Sequence, residues 1–409
     1  MRLMFIVQRY GSEIGGGSEQ CCRLYAEHCA ARGHQVEVAT SCAKNYVDWK
    51  NEFSPGDVSV NDVLVHRFPV DRPRWGPVFS AIDEAVVWRG TPTPLSLQHR
   101  WIEEMGPRTL ELPGYLQSRA ADIDVFVFFT YLYYPTAKGL LALRGLAPTL
   151  FHPTAHVEPH LWVPMFDDVF RVPDTYAFLT PEEGDLVRRR FGVERVSDVV
   201  GVGVDLVAQG NGDRFRSEFG LGDDPYLLYV GRIDAGKGSL EMFDYFRAYK
   251  HRRGGSLKLV IVGEPVLTLP DDDSVIVTGY LPEGSKLDAI AGCTAFLQPS
   301  YYESFSMALT EAWSQRRPAI VQGRCDVLAG QATRSRGGLA YIGFAQFEAA
   351  VEELVGNKDL AETLGANGRA YVERMYRWDT IMDHYDVLLE RTIDEHGRRF
   401  ATQRTRSLR

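Results

Sequence analysis

Apolar residues recur along this chain in two rhythms. Short runs of mostly apolar, β-prone residues at 3–7, 35–40, 63–68, 124–129, 148–152 and 175–179 predict strands. Stretches with apolar positions three or four apart at 19–32, 97–105, 110–119, 133–144 and 181–191 predict helices. A second series follows, with strands at 226–230, 257–262, 275–278, 294–297 and 319–322 and helices at 239–252, 283–291, 307–313, 344–356, 359–374 and 378–395. Strand and helix alternating in this way predict α/β architecture, here two consecutive Rossmann-like sheets facing a cleft. Residues 196–222, rich in Gly, Asp and Asn, read as the inter-domain stretch, which sets the domains at 1–200 and from 201 onward. Residues 71–116 break the alternation with Pro73, Pro77, Pro92, Pro94, Trp75, Trp88 and Trp101. Such an excursion either shapes a site or covers the sheet.

Composition narrows the picture. A chain of 409 residues is too long for one ordinary core, and 45% hydrophobic with 24% charged residues is globular composition. A net charge of −9 argues against a general nucleic-acid binder. Residues 396–409 carry five arginines and no acid, a solvated basic tail. Cys21, Cys22, Cys29, Cys42, Cys293 and Cys325 form no CxxC pair or zinc spacing, which suits reduced thiols in a cytoplasmic protein. The apolar start reads as a strand with no cleavage site, and no apolar run approaches the ~20 residues of a membrane span. Any membrane contact is expected to be peripheral, at the inner face.

Candidate chemistry gathers at residues 298–313. A buried strand runs into a turn with Ser304 and Ser306, either of which suits a helix cap. Glu303 precedes the helix and Glu311 falls in its second turn; the free N–H groups of the helix start suit an anion. Arg232 and Lys237 occupy a glycine-rich turn after strand 226–230, where a guanidinium and an ammonium can hold a diphosphate. An ordinary surface turn with two cations is the plainer alternative. Gly15, Gly16 and Gly17 after the first strand let backbone approach a ligand, or form a simple flexible loop. His152, His156 and His160 are four apart, but Pro153 and Pro159 argue against the helix that would align them on a metal. A site loop carrying His156 is the preferred reading. Arg188, Arg189 and Arg190 suit a helix C-terminus and need no ligand.

Val230-Gly231-Arg232-Ile233 … Lys237-Gly238, followed by Glu303-Ser304-Phe305-Ser306 … Glu311, resembles the retaining GT-B glycosyltransferases of family GT4, the glycosyl transferases group 1 with their paired-glutamate motif. The resemblance covers nearly the whole chain. It implies an acceptor-binding domain at 1–200, a nucleotide-sugar domain at 201–377, and a final helix from Trp378 returning to the first domain ahead of the basic tail, 378–409 in all. It implies transfer of a sugar from a nucleotide-diphosphate sugar to a hydroxyl of a sugar, lipid-linked or small-molecule acceptor, with anomeric retention and neither metal nor cofactor. Arg232 and Lys237 would hold the diphosphate, Glu303 the donor-sugar hydroxyls and Glu311 the ribose. Backbone N–H groups at Phe305 and Ser306 would face sugar or phosphate. Gly16 and Gly17 would approach the diphosphate or acceptor, Tyr280 the base, and His156 the donor sugar and acceptor hydroxyl. Two features depart from the family's habit. Ser304 and Ser306 stand where glycine and proline or glycine are common, and His156 is followed by Val157 and Glu158 rather than aspartate. Asp122-Ile123-Asp124, at a predicted strand start, reads as structural. A non-hydrolysing sugar-nucleotide epimerase and a non-catalytic partner subunit share the architecture. A nicotinamide oxidoreductase is disfavoured, since strand 35–40 closes on Thr40 rather than on an acid.

Overall fold

The computed structural model describes residues 1–206, 209–263 and 272–406. Of the basic tail, residues 407–409 lie outside the described residues, as does Glu264 beyond the strand at 257–262. The chain divides into two compact units, Met1–Gly201 with Met382–Arg409, and Val202–Ile381.

The first unit opens with β1 (Arg2–Ile6), α1 (Gly17–Ala31), β2 (Gln35–Ser41), β3 (Gly56–Val60) and β4 (Val63–Phe68). The excursion holds α2 (Gly76–Asp83), a π-turn (Glu84–Trp88), α3 (Leu95–Met105) and α4 (Leu112–Ser118). Then come β5 (Val125–Phe129), α5 (Tyr134–Leu143), β6 (Thr149–His152), a 3₁₀ turn (Pro159–Trp162), α6 (Phe166–Val169), β7 (Thr175–Phe178), α7 (Pro181–Phe191) and β8 (Val196–Val199). Among the described residues these strands form one sheet in the order β3-β4-β2-β1-β5-β6-β7-β8. It is parallel except for the β3–β4 hairpin. Central β5, Val-Phe-Val-Phe-Phe, is buried at every position, as a strand covered on both faces must be. Asp122-Ile123-Asp124 is structural, with the Arg2 amide donating to Asp124 Oδ2 at 2.7 Å.

The second unit holds α8 (Gly212–Glu218), β9 (Tyr226–Val230), a 3₁₀ turn (Ala235–Lys237), α9 (Ser239–Arg253), β10 (Lys258–Val262), β11 (Val275–Gly279), α10 (Glu283–Gly292), β12 (Ala295–Gln298), α11 (Met307–Ser314), β13 (Ala319–Gln322), α12 (Asp326–Ser335), β14 (Gly338–Tyr341), α13 (Phe344–Gly356) and α14 (Lys358–Met375). Its described strands form a parallel sheet in the order β11-β10-β9-β12-β13-β14. The long α15 (Trp378–Arg406) starts in this unit, and from Met382 onward it belongs to the first.

Several elements escape the periodicity. Strand β3 is an exposed, polar edge; α2 and the π-turn sit where proline and tryptophan obscure any period; β14 begins at the Gly337-Gly338 pair that reads as a turn. Residues 153–158 form no helix, as Pro153 and Pro159 predict, and Pro159 occupies the first turn of the 3₁₀ segment, where its missing N–H costs nothing. Helix α1 starts at Gly17, two residues before the predicted start, with Gly16 as its cap residue at φ 145°. Helix α15 runs to Arg406, well past the predicted end at 395.

Helix α15 is fixed to the first unit by buried polar contacts. Tyr385 pairs with His152 at 2.9 Å and Thr392 with Thr175 at 2.5 Å. Asp174, 1% exposed, meets His396 at 3.0 Å and Arg399 at 2.5 Å, and accepts from the Thr149 amide at 3.0 Å. Removing one partner of a buried pair strands the other's charge. Asp174→Ala is therefore expected to destabilise the first unit by roughly 3 kcal/mol, read as a shifted denaturant midpoint. An unchanged midpoint would show that α15 is held by its apolar face alone.

Candidate active site

In the second sheet the strand order reverses at β9, with β10 and β11 on one side and β12, β13 and β14 on the other. Loops leaving the carboxyl ends of β9 and β12 diverge there and leave the crevice in which open parallel sheets bind ligands. Both motif loops start at this point. Gly238, at φ 70°, lets them meet, because a Cβ there would lie 2.2 Å from the Pro299 carbonyl oxygen. The Lys237 amide donates to Asp234 Oδ1 at 3.0 Å, and its Nζ reaches Glu303 Oε1 at 2.8 Å. From sequence, Lys237 and Glu303 serve separate ligand groups; the structure joins them in one ion pair. Arg232 is 49% exposed at its side chain, with Nε 3.8 Å from Asp234, and its carbonyl accepts from the Tyr229 hydroxyl at 2.7 Å.

The turn before α11 departs from the expected caps. Ser306 occupies the cap position, but at φ 76° and ψ 81°, and its side chain caps nothing. Gln298 Nε2 donates to Ser306 Oγ at 2.6 Å, while Ser300 Oγ donates to Gln298 Oε1 at 3.1 Å. Gln331 donates to the Phe305 carbonyl. The Phe305 ring is buried edge-on to Tyr376, so this residue offers the crevice only backbone. Ser304 lies half-buried in the same turn. Glu311 stands 2.9 Å from Lys286 Nζ, which also meets Glu283 at 3.0 Å. Burial pulls the Lys286 ammonium down, and the two carboxylates outweigh it and hold its pKa above the ordinary value. Lys286 belongs to no motif in the sequence, and only the packing of α10 against α11 brings it to Glu311. Tyr280, just past β11, is 78% exposed.

The first sheet reverses at β1, with β2, β4 and β3 to one side and β5 to β8 to the other. The glycine loop leaves this strand. Its closest approach is internal: a Cβ on Gly16 would stand 2.4 Å from Glu19 Oε2. Glu19 is gripped by Arg9 through Nε at 2.9 Å and a terminal nitrogen at 2.5 Å, and that guanidinium also donates to the carbonyls of Gly15 at 3.1 Å and Lys44 at 2.6 Å. A Cβ on Gly17 would meet nothing within 4 Å, so packing does not demand glycine there.

The three histidines have three fates. His152 is a core residue stacked on Phe129 at 4.1 Å, and burial pushes its pKa down to about 3. His160 lies 3.4 Å from Asp83 and 3.6 Å from Glu158. Burial opposes its charge, but the two carboxylates overcome this and raise it to about 9. His156, 26% exposed at its side chain, places Nδ1 3.5 Å from Glu158 Oε1. The loop behind it hangs on Glu183, which is 1% exposed and accepts the amides of Ala155 at 2.7 Å and Leu179 at 2.6 Å. Burial raises the Glu183 pKa to about 8 despite these donors. Asp83 and Glu183 carry no sequence signal because His160 and Ala155, which they meet, lie far along the chain; Glu158 stands two residues from both His156 and His160, and only the fold of the loop shows that it faces them. Among the described residues no His, Cys, Asp and Glu group is arranged to hold a metal ion, and no helix is long and apolar enough to cross a membrane.

Two Rossmann-like units of this kind define the GT-B class of fold. The chain superposes on sucrose-phosphate synthase from Thermosynechococcus elongatus with a TM-score of 0.69 at 17% identity, covering 95% of this chain and 98% of that one. It superposes equally on HepE from Anabaena, solved with UDP-glucose, with a TM-score of 0.69 at 14% identity over 95% and 99% of the two chains. Residues 212–371 match the model of the family Glycosyl transferases group 1. It is similar to alpha-D-kanosaminyltransferase of Streptomyces kanamyceticus, 30% identical over 158 residues, 35% of this chain and 40% of that protein. It is also similar to the capsular polysaccharide biosynthesis glycosyltransferase CapM of Staphylococcus aureus, 25% identical over 188 residues, 42% of this chain and 48% of that protein. The matches span less than half the length of either curated relative.

His160 is expected to titrate at about 9, so its clamp contributes stability fully below the ordinary histidine range of about 6.5. That contribution fades as pH rises through the folded value. Asp83→Asn should lower the His160 midpoint by about one unit or more in an imidazole NMR titration. An unshifted midpoint would remove Asp83 from the clamp.

Proposed function

We propose that the chain is a retaining glycosyltransferase moving a sugar from a nucleotide-diphosphate sugar to an acceptor hydroxyl. The observation that carries this reading is the Lys237–Glu303 pair at 2.8 Å, set at the switch point of the second sheet inside the family-matched stretch. A cation for a diphosphate and a carboxylate for sugar hydroxyls stand side by side there. That both HepE and sucrose-phosphate synthase share the fold, and that HepE was solved with UDP-glucose, supports such a donor.

Arg232 and Lys237 bind the diphosphate and take up charge as it leaves. Lys237 keeps further N–H donors beyond the one on Glu303. Glu303 and Glu311 accept hydroxyls of the donor sugar and ribose, and the amides of Phe305 and Ser306 face sugar or phosphate. Tyr280 lies by the base, while Gly16, Gly17 and His156 serve the diphosphate or the acceptor side. The two cations supply the charge stabilisation that a metal would otherwise give, so transfer proceeds without metal. The leaving phosphate helps deprotonate the acceptor on the same face, and catalysis rests on positioning and electrostatics. The protein works in the cytoplasm on a sugar, lipid-linked or small-molecule acceptor.

A panel of sugar nucleotides, assayed for nucleoside diphosphate release and a new glycoside, tests this reading. Lys237→Ala is expected to lower kcat by roughly 100-fold or more, and Glu311→Ala to raise donor KM by about 10-fold. Activity should persist in excess chelator, and the glycoside should keep the donor's anomeric configuration. An altered sugar nucleotide with no glycoside would make the protein an epimerase. Donor binding without product would make it a non-catalytic subunit, and full activity in both variants would move the site elsewhere.

A further inference from the structure

The loop after β6 carries a carboxylate with more partners than a surface glutamate needs. The side chain of Glu158 is 14% exposed. Its Oε1 accepts the Tyr131 hydroxyl and lies 3.5 Å from His156 Nδ1, while its Oε2 lies 3.6 Å from His160 Nδ1. His160 in turn reaches Asp83 Oδ1 at 3.4 Å. Asp83 closes the chain by accepting Trp101 Nε1 and Trp88 Nε1, each at 2.9 Å. The His160 ring is sandwiched by aromatics as well, parallel to Trp101 at 6.0 Å and edge-on to Trp88 at 5.9 Å.

We propose that Glu158 is a positioning residue that sets the orientation of the His156 imidazole, and that Asp83, acting through His160, holds Glu158 in place. The inference rests on the glycosyltransferase reading for its catalytic consequence, though not for the geometry. Glu158 is no catalytic residue itself, since Oε1 accepts the Tyr131 hydroxyl, Oε2 faces His160 at 3.6 Å and little of the side chain is exposed. Charge arithmetic supports the role: two carboxylates, Glu158 and Asp83, share one imidazolium, His160. The negative charge left over faces His156 across 3.5 Å. Charge and contact therefore favour one ring orientation, with Nδ1 toward Glu158 and Nε2 directed away from it. A residue held this way loses less rotamer freedom when substrate arrives. Helix α2 ends at Asp83 and so delivers the far end of the chain of contacts.

Glu158→Gln keeps the shape and removes the charge, and Asp83→Asn does the same one step out. With the full-length protein, Glu158→Gln is expected to lower kcat by roughly 10- to 100-fold with donor KM nearly unchanged. His156→Ala combined with Glu158→Gln should be no slower than His156→Ala alone, because the two act as one unit. Glu158→Asp, which restores the charge on a shorter arm, should recover part of the loss. Independently of activity, the His156 ring signals in an imidazole ¹⁵N spectrum should move in Glu158→Gln and, to a lesser extent, in Asp83→Asn. Additive kinetic losses with unmoved His156 signals would overturn the proposal. If no sugar nucleotide is turned over by the unaltered protein, the function reading fails, and the ring spectrum alone decides the positioning role. A loss of melting temperature and kcat together, with His156 signals unmoved, would make Glu158 structural only.

Discussion

The second unit depends on how closely two stretches of backbone can pass. Lys237 and Glu303 meet only because the chain at Gly238 runs against the Pro299 carbonyl, an approach that any Cβ would block. The same constraint appears one strand over, where a Cβ on Gly263 would stand 2.0 Å from the Gly231 carbonyl. The glycines of this sheet edge are therefore packing residues first. They draw loops from adjacent strands together at the place where the topology leaves a crevice, and the ion pair follows from that approach.

The first unit solves a different problem, the burial of acids. Glu19, Asp174, Glu158 and Glu183 all lie inside or nearly so, and Glu183 meets its burial by a pKa raised to about 8. Arg9 meets Glu19, Arg399 and His396 meet Asp174, the Tyr131 hydroxyl donates to Glu158 with two histidine rings within 3.6 Å of it, and backbone amides donate to Glu183. Isolated buried carboxylates would be costly, whereas paired ones specify a single arrangement of loops. The two halves of the molecule thus prepare their loops by different means, steric in one and electrostatic in the other.

How much of this was legible depended on whether the determining partner was local. Strands β4, β9 and β13 and helices α7 and α13 fall where the periodicity puts them, because burial of their own faces decides them. The motif residues Arg232, Lys237, Glu303 and Glu311 were legible from spacing and from family resemblance. The pairing of Lys237 with Glu303 was not, since 66 residues separate them. The His152–His156–His160 trio shows the limit most plainly. Identical residues four apart become a core ring, a half-exposed side chain and a clamped cation, and what sorts them is Phe129, Glu158 and Asp83, none of which shares their period. Strand β3 and helix α2 stayed hidden because neither buries a regular apolar face.

The placement of α15 has a consequence for how the chain acquires its shape. Val202–Ile381 forms a unit of its own, inserted in sequence between two parts of the other. Contacts that complete the first unit join Thr175 to Thr392 and Asp174 to Arg399, residues more than two hundred positions apart. A chain emerging from its amino end reaches Asp174 long before the cation that neutralises it. Until then the first sheet carries a buried acid without its counterion and an uncovered apolar surface. The second unit can mature meanwhile, so the domain that starts first is the one that finishes last.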